Sequence, residues 1–303
     1  MSILPNYSHE SVMLSEMLSF LQPQDGGSYC DATLGGGGYS LAILQASKQA
    51  KVIGIDRDPS AIRAAQDRLS PFQHRFTAIH GNFADIQAAL ALQNISTVDG
   101  IVADIGVSSP QIDQAGRGFS FQNAGPIDMR MNPQEGVSAL DLIQTLSEED
   151  LANVIFHYGE ERFSRRIARS IKQSLEQGKL TDTKALAITI ASAVPTKDSM
   201  PEKAMRTFQA LRIAVNDELR QLDSLIKVAA DLLTEGGRLV IVSFHSLEDR
   251  IVKQSFKQSS HLWEVLTKKP IYPCDEEIAK NPRSRSARLR AAKRVFRGGF
   301  DAT

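Results

Sequence analysis

Four consecutive glycines at residues 35–38 stand between an apolar run, Ser28-Tyr29-Cys30-Asp31-Ala32-Thr33, and a stretch of helical character, Tyr39-Ser40-Leu41-Ala42-Ile43-Leu44. Such a run costs conformational entropy and is useful chiefly where backbone must approach a ligand closely or adopt positive φ. Strand, glycine turn and helix in that order open a parallel crossover unit, and the alternation continues downstream. Residues 51–56 read as a second strand, with Asp58-Pro59 starting a helix that carries Ala61, Ile62, Ala65 and Leu69 at helical spacing. A third strand spans 76–80 and precedes Gly81-Asn82-Phe83; a fourth spans 98–104 and runs into Ile105-Gly106-Val107-Ser108-Ser109-Pro110-Gln111. The fold class is α/β.

After Gln111 the pattern changes. A Gly- and Phe-bearing loop over 116–131 leads into roughly ninety residues of helical periodicity without a convincing strand. Alternation resumes at 236–244, the expected fifth strand, followed by a helix over 247–257 and two weaker strands near 262–267 and 287–295. The expectation is a discontinuous sheet domain, residues 1–111 and 216–303, carrying an inserted helical domain, residues 112–215. The 303 residues, 42% of them hydrophobic, are enough for such an arrangement. No apolar run is long enough to cross a bilayer and no secretory leader opens the chain, so the expected location is cytoplasmic. Two cysteines, Cys30 and Cys274, have no metal-ligand spacing, and no metal is expected.

Lys and Arg together number 35, as do Asp and Glu, so a uniformly basic nucleic-acid binder is excluded. Local excess remains. The C-terminal stretch carries Lys280, Arg283, Arg285, Arg288, Arg290, Lys293, Arg294 and Arg297 against Asp301, either a phosphate-seeking tail or a solvated one. On a helix starting near Gly159, Arg162, Arg165, Arg166 and Arg169 share one stripe, opposite Phe163, Ile167, Ile171 and Leu175. The charged face suits phosphate contact, against the alternative of a solvated arginine face. Met205, Phe208, Leu211, Val215, Leu219 and Leu222 form a longer apolar stripe expected to be core, and His9 and His157 read as structural.

A dinucleotide fingerprint begun at Gly35 or Gly36 would need its last glycine at Ser40 or Leu41, which disfavours a nicotinamide oxidoreductase. The sequence Asp31-Ala32-Thr33-Leu34 followed by glycines instead resembles the acid-then-glycine loop of S-adenosylmethionine (SAM)-dependent methyltransferases. Asp56, about twenty residues on at a strand end, offers two oxygens to ribose hydroxyls, or serves as an N-cap carboxylate. Phe83 lies along an adenine face or belongs to the core. Chemistry belongs where the fourth strand ends, at Asp104 and Ser108-Ser109-Pro110-Gln111. That stretch resembles the Pro-containing motif of amino-methyltransferases but lacks its second proline and aromatic; an ordinary turn is the alternative. Methylation at a cytosine C5 needs a cysteine nucleophile, and neither cysteine follows the fourth strand. His245 either contacts a substrate base or caps the next helix. A non-catalytic RNA-binding protein on the same scaffold is a further alternative.

Residues 9–14, 35–40, 55–59, 104–111, 118–121, 125–131, 158–163, 206–212 and 243–250 closely resemble, in matching order, the bacterial small-subunit rRNA (cytosine-N4) methyltransferase family, RsmH or MraW. The resemblance spans almost the whole chain. It implies a Rossmann-like SAM-dependent methyltransferase sheet with an all-helical insertion for RNA recognition, and N4-methylation of a decoding-region cytosine in 16S rRNA. It also implies roles in rRNA processing and ribosome biogenesis. The family's cofactor contacts carry over onto Gly37, Gly38, Tyr39, Asp56, Phe83, Asp104 and Gln111, with Asp104, Ser109 and His245 as catalytic candidates. Tyr39 departs from the histidine common in the family: a backbone contact there tolerates the change, whereas a side-chain contact requires the hydroxyl to substitute. The expected partner is 16S rRNA within the small ribosomal subunit, with no membrane and no metal; a homodimer is left open.

Overall fold

A computed structural model of the chain describes residues 11–295. These cluster into two compact units, one running through Gly106 and resuming at Leu219, the other Val107–Glu218. The first unit contains, in chain order, α1 (Leu14–Leu21), β1 (Ser28–Asp31), α2 (Gly38–Ala46), β2 (Lys51–Asp56), α3 (Pro59–Arg68), β3 (Phe76–His80), α4 (Ile86–Ala91) and β4 (Val98–Asp104). The second holds α5 (Ser109–Asp113), α6 (Ala139–Thr145), α7 (Glu148–Gly159), α8 (Ser164–Glu176), α9 (Thr183–Ala193) and α10 (Met200–Asn216). After it come α11 (Glu218–Leu232), β5 (Leu233–Ser243), α12 (Ser246–Gln258), β6 (Trp263–Val265), α13 (Asp275–Lys280) and β7 (Arg288–Arg294).

The seven strands form one sheet in the order β3-β2-β1-β4-β5-β7-β6. Strands β1 to β5 pair in parallel, and β7 lies antiparallel to both β5 and β6. Both faces of the central strands are covered, so they read as nearly unbroken apolar runs whose side chains alternate between two cores. Cys30, Ile53, Ile55, Ile101, Ala103, Leu239 and Ile241 point to one core, where α4, α11 and α12 supply Leu90, Leu225 and Phe256. Tyr29, Val52, Val102, Val240 and Val242 point to the other, closed by Met17 and Leu21 of α1 and Ile43 of α2. The expected α/β sheet is thus present; β5 begins three residues before its expected start, and β6 is shorter than residues 262–267.

The basic C-terminal stretch is not a free tail. Arg288, Arg290, Lys293 and Arg294 lie on β7, and Arg290 is buried with its guanidinium on Asp249, at 2.6 Å and 3.1 Å. Arg294 Nε donates to the Ala230 carbonyl at 2.6 Å. Pairing with β5 consumes this stretch because its alternate residues, Leu289 and Ala291, are fully buried. Arg297 and Asp301 lie outside the described residues, as does His9.

The helical unit surrounds its own core, built from Ile143, Leu151, Ile155, Ile167, Ile171, Leu186, Ile190, Phe208 and Leu211. Helix starts follow side-chain caps: Ser147 accepts from Asp150 N, and Asp182 accepts from Ala185 N. Three expectations are corrected here. Gly159 ends α7 and α8 starts at Ser164, so Arg162 lies in the preceding turn, its guanidinium 4.7 Å from the Phe163 ring centre, while Arg165, Arg166 and Arg169 share the exposed helix face. The long apolar stripe is broken at Asp217, whose left-handed backbone separates α10 from α11, and Met205 is 60% exposed. His157, expected to be structural, is exposed on the last turn of α7 with its ring at an edge of Phe156.

The loop before α6 packs on itself. Gly118 has φ +74°, and a Cβ there would stand 2.2 Å from the Pro126 carbonyl oxygen. Asn216 pins the same loop, donating to Met129 O at 2.7 Å and accepting from Met131 N at 2.8 Å. Gly118→Ala therefore forces backbone apart in an unfavourable φ region. The expected loss is about 2 kcal/mol or more of stability, read as a lower unfolding midpoint in a denaturant titration; an unchanged midpoint would contradict the loop geometry.

Candidate functional site

The chain order reverses between β1 and β4, which places a crevice at the carboxyl ends of these strands. The glycine loop leaves β1 there and is fastened on both sides. Leu34 N donates to Ile55 O at 2.9 Å, Gly35 N to Asp56 Oδ2 at 2.7 Å, and Asp104 N to Thr33 Oγ1 at 2.6 Å. The ends of β1, β2 and β4 are thereby tied into one framework. Gly37 adopts φ +74°, and a Cβ on Gly38 would stand 1.7 Å from Ser11 Oγ, so neither position accommodates a side chain. Tyr39, second residue of α2, has its ring buried and its hydroxyl donating to Val12 O at 2.5 Å. Its hydroxyl is thus committed to the protein, which leaves the backbone as Tyr39's means of meeting a ligand.

Acidic side chains converge on this framework, with Arg57 as a cation whose charge reaches Asp56. Asp31 is buried; its Oδ2 accepts from Ser40 Oγ at 2.8 Å, and burial raises its pKa to about 6. Asp56 accepts from Gly35 N and Asp58 N, and burial, outweighing those bonds, raises its pKa to about 6 as well. Asp104 is the most perturbed. Its pKa rises to about 8, first through burial and then through repulsion from Asp31, Glu248 and Glu277. Among the described residues, its buried Oδ1 has no hydrogen-bond partner.

At the end of β5 the chain turns into α12 through Phe244-His245. Glu248, fully buried, accepts from Phe244 N at 2.8 Å and His245 N at 3.2 Å, while Glu248 N approaches His245 Nδ1 at 3.4 Å. Of the two roles open to His245, the structure provides the cap, with Nε2 2.9 Å from Glu248 Oε1. Phe83 starts a short 3-10 turn after β3 and packs, partly buried, against the sheet core. Ser109 and Gln111 belong to the helical unit, where Ser108 caps α5 and Gln111 Oε1 accepts from Ser108 N at 3.0 Å. Sequence reasoning passed over Glu248 and Glu277. The first carries a signal in its three-residue spacing from the cap position; the second, 173 positions after Asp104, has none.

Against this geometry stand the relatives. Residues 6–295 match the model of the MraW methylase family. The chain belongs to the MraW methylase family. It is 50% identical over 295 residues to a protein of Sorangium cellulosum named ribosomal RNA small subunit methyltransferase H, an alignment covering 97% of this chain and 92% of the relative. A protein of the same name from Afipia carboxidovorans is 48% identical, covering 97% and 92% of the two chains. Another, from Geotalea uraniireducens, is 45% identical, covering 96% of this chain and all of the relative.

The methylase's carboxyl cluster sets a pH dependence. Folded-state pKa values of about 6, 6 and 8 lie above the ordinary 3.8 of an Asp, so the folded chain binds more protons than the unfolded one across this interval. The contribution of these groups to stability is full below pH 4 and is lost as pH rises through the folded values. Asp104→Asn removes the highest of them. It is expected to gain stability relative to the wild type as pH rises from about 5 to about 8, values inside the interval from the ordinary 3.8 to the folded value of about 8, a difference that denaturant titrations at the two values would measure. Parallel profiles for the two proteins would contradict the assignment.

Proposed function

We propose that this methylase transfers a methyl group from SAM to the N4 amine of a cytosine in the decoding region of 16S rRNA, within the small ribosomal subunit. The observation that carries the reading is the carboxyl cluster around the fastened glycine loop, with the unpartnered Asp104 oxygen inside it, in a chain of a methylase family. When bound, SAM supplies an electrophilic methyl group on a positively charged sulfur. A cationic ligand fits a site of several buried carboxyls, where Asp56 feels the Arg57 charge but Asp104 is repelled by Asp31, Glu248 and Glu277. Gly38 and Tyr39 are assigned to the cofactor through their backbone N–H groups; Gly37, whose own N–H donates to Leu34 O at 2.7 Å, is assigned through the close approach its missing side chain allows. Asp56 spends one lone pair of each oxygen on the protein and keeps the others for ribose hydroxyls. Phe83 is assigned to the adenine, Asp104 and Gln111 to the remainder of the cofactor.

Aromatic amines are poor nucleophiles because the nitrogen lone pair is delocalised into the ring. What the protein contributes is orientation: acceptors that hold the amino hydrogens and aim the nitrogen at the methyl group, an effect on the order of 7 to 11 kcal/mol at best. Asp104 and Ser109 are the candidate acceptors; His245, the third catalytic candidate, has both ring nitrogens turned to Glu248, so the role left to it is positional. The target base must be unpaired or extruded, at a cost of about a few kcal/mol. A C5 mechanism lacks its nucleophile: Cys30 is fully buried inside β1, where burial raises its thiol pKa, and Cys274 sits exposed before α13. Incubation with labelled SAM and ribosomal subunits lacking the modification, followed by nucleoside analysis, is expected to yield N4-methylcytidine. Label in 5-methylcytidine or in a ribose 2′-O-methyl group would refute the chemistry.

RNA recognition is assigned to the helical unit, on the exposed face of α8. Arg165 and Arg166 are exposed, and Arg169 reaches Glu148 at 3.3 Å across an exposed pair that contributes little to the fold. Replacing all three with Ala is expected to weaken RNA binding and flatten its salt dependence without changing SAM affinity. Filter binding across a salt series measures this, and an unchanged slope would return the stripe to ordinary solvated surface.

A further inference from the structure

The residues just before α1 cross the glycine loop as a strap. Ser11 Oγ occupies the space where a side chain on Gly38 would begin, and Val12 O accepts the Tyr39 hydroxyl at 2.5 Å. Met13 is fully buried and adopts a left-handed conformation, φ +53°, which is unfavourable for a non-glycine residue. Something must hold it there. Its backbone N–H donates to Glu277 Oε1 at 2.6 Å, from α13, 264 positions later in the chain. The Glu277 charge is felt by both Tyr39 and Asp104, which brings its carboxylate into the neighbourhood of the same cluster.

We propose that Glu277 is a latch: it holds the Ser11-Val12-Met13 strap down over the glycine loop and thereby governs how fast the methyl donor leaves. This rests on the reading of the crevice as a SAM site. Glu277 is a positioning residue, acting on the cofactor through Met13, Val12 and Tyr39. Without its carboxylate, a backbone N–H in a buried and strained segment loses its acceptor, and the conformation that presents Val12 O to Tyr39 and lays Ser11 over Gly38 is no longer enforced. A short segment held by two long-range bonds and the burial of Val12 and Met13 can open locally, without unfolding the sheet, once one of those bonds is lost. Donor release, rather than the architecture of the sheet, is what the latch controls.

The test is the dissociation rate of SAM from the full-length protein, measured by stopped-flow displacement, with RNA affinity and the unfolding midpoint recorded alongside. Glu277→Ala is expected to speed dissociation about tenfold, the equivalent of one lost hydrogen bond to a charged group, with RNA affinity unchanged. Glu277→Gln keeps an oxygen that accepts from Met13 N and should restore most of the slow release. Tyr39→Phe, which removes only the hydroxyl's bond to Val12, should shift the rate in the same direction as Glu277→Ala and decides the matter if that variant fails to fold. Wild-type release rates in both Glu277→Ala and Tyr39→Phe would overturn the latch, as would equal acceleration by Ala and Gln. A wild-type protein that binds no SAM at all would instead sink the donor reading beneath it.

Discussion

Burial of carboxyl groups at the carboxyl edge of one parallel sheet is the constraint on which the rest of this molecule depends. Asp31, Asp56 and Asp104 end three neighbouring strands, and the first two are satisfied by the chain's own N–H and O–H groups. The Asp56 bond also shapes the glycine loop by fixing Gly35 N, and the backbone N–H of Asp104 ties the same loop by donating to Thr33 Oγ1. The arrangement thus has two consequences at once: it orders the loop that would cradle a ligand, and it concentrates negative charge, with Arg57 acting on Asp56 and repulsion from Asp31, Glu248 and Glu277 acting on Asp104. Charge in such a place favours proton uptake until a cation arrives. A ligand carrying positive charge then stabilises the site in proportion to the carboxylates it meets.

Much of the sheet was legible in the sequence because its strands are covered on both faces. Lys51–Asp56, Phe76–His80 and Val98–Asp104 stand where the apolar runs place them, bounded by turn residues. Features that depend on one residue's backbone were not legible. Asp217 looks like any polar position in a helical stripe, yet its left-handed conformation ends α10 and starts a new helix. The stretch at 287–295 offered two readings, a weak strand and part of a basic tail; the strand is what forms, since Leu289 and Ala291 are buried between two others while the arginines alone suggested the tail.

For the crevice, the glycines and Asp56 were readable from their spacing alone, since turn and strand end are local. Glu248 was half readable, through its distance from His245. Glu277 was invisible: nothing near it in sequence announces that its carboxylate meets a backbone N–H 264 positions earlier. Long-range bonds of this kind leave no periodic trace, and they concentrate where a site is assembled from distant segments. Ser109 and Gln111 show the opposite lesson. A motif that suggests ligand contact also satisfies a helix start, with Gln111 Oε1 closing the cap of α5.

Isothermal titration of SAM into the protein at neutral pH, repeated in buffers of different ionisation enthalpy, tests the central claim most directly. With Asp104 near 8, much of the free protein carries that proton at neutral pH, and a cation in the crevice should expel it. Net proton release on binding is expected, reduced or lost in Asp104→Asn. Binding without proton release, or release that the variant leaves unchanged, would contradict it.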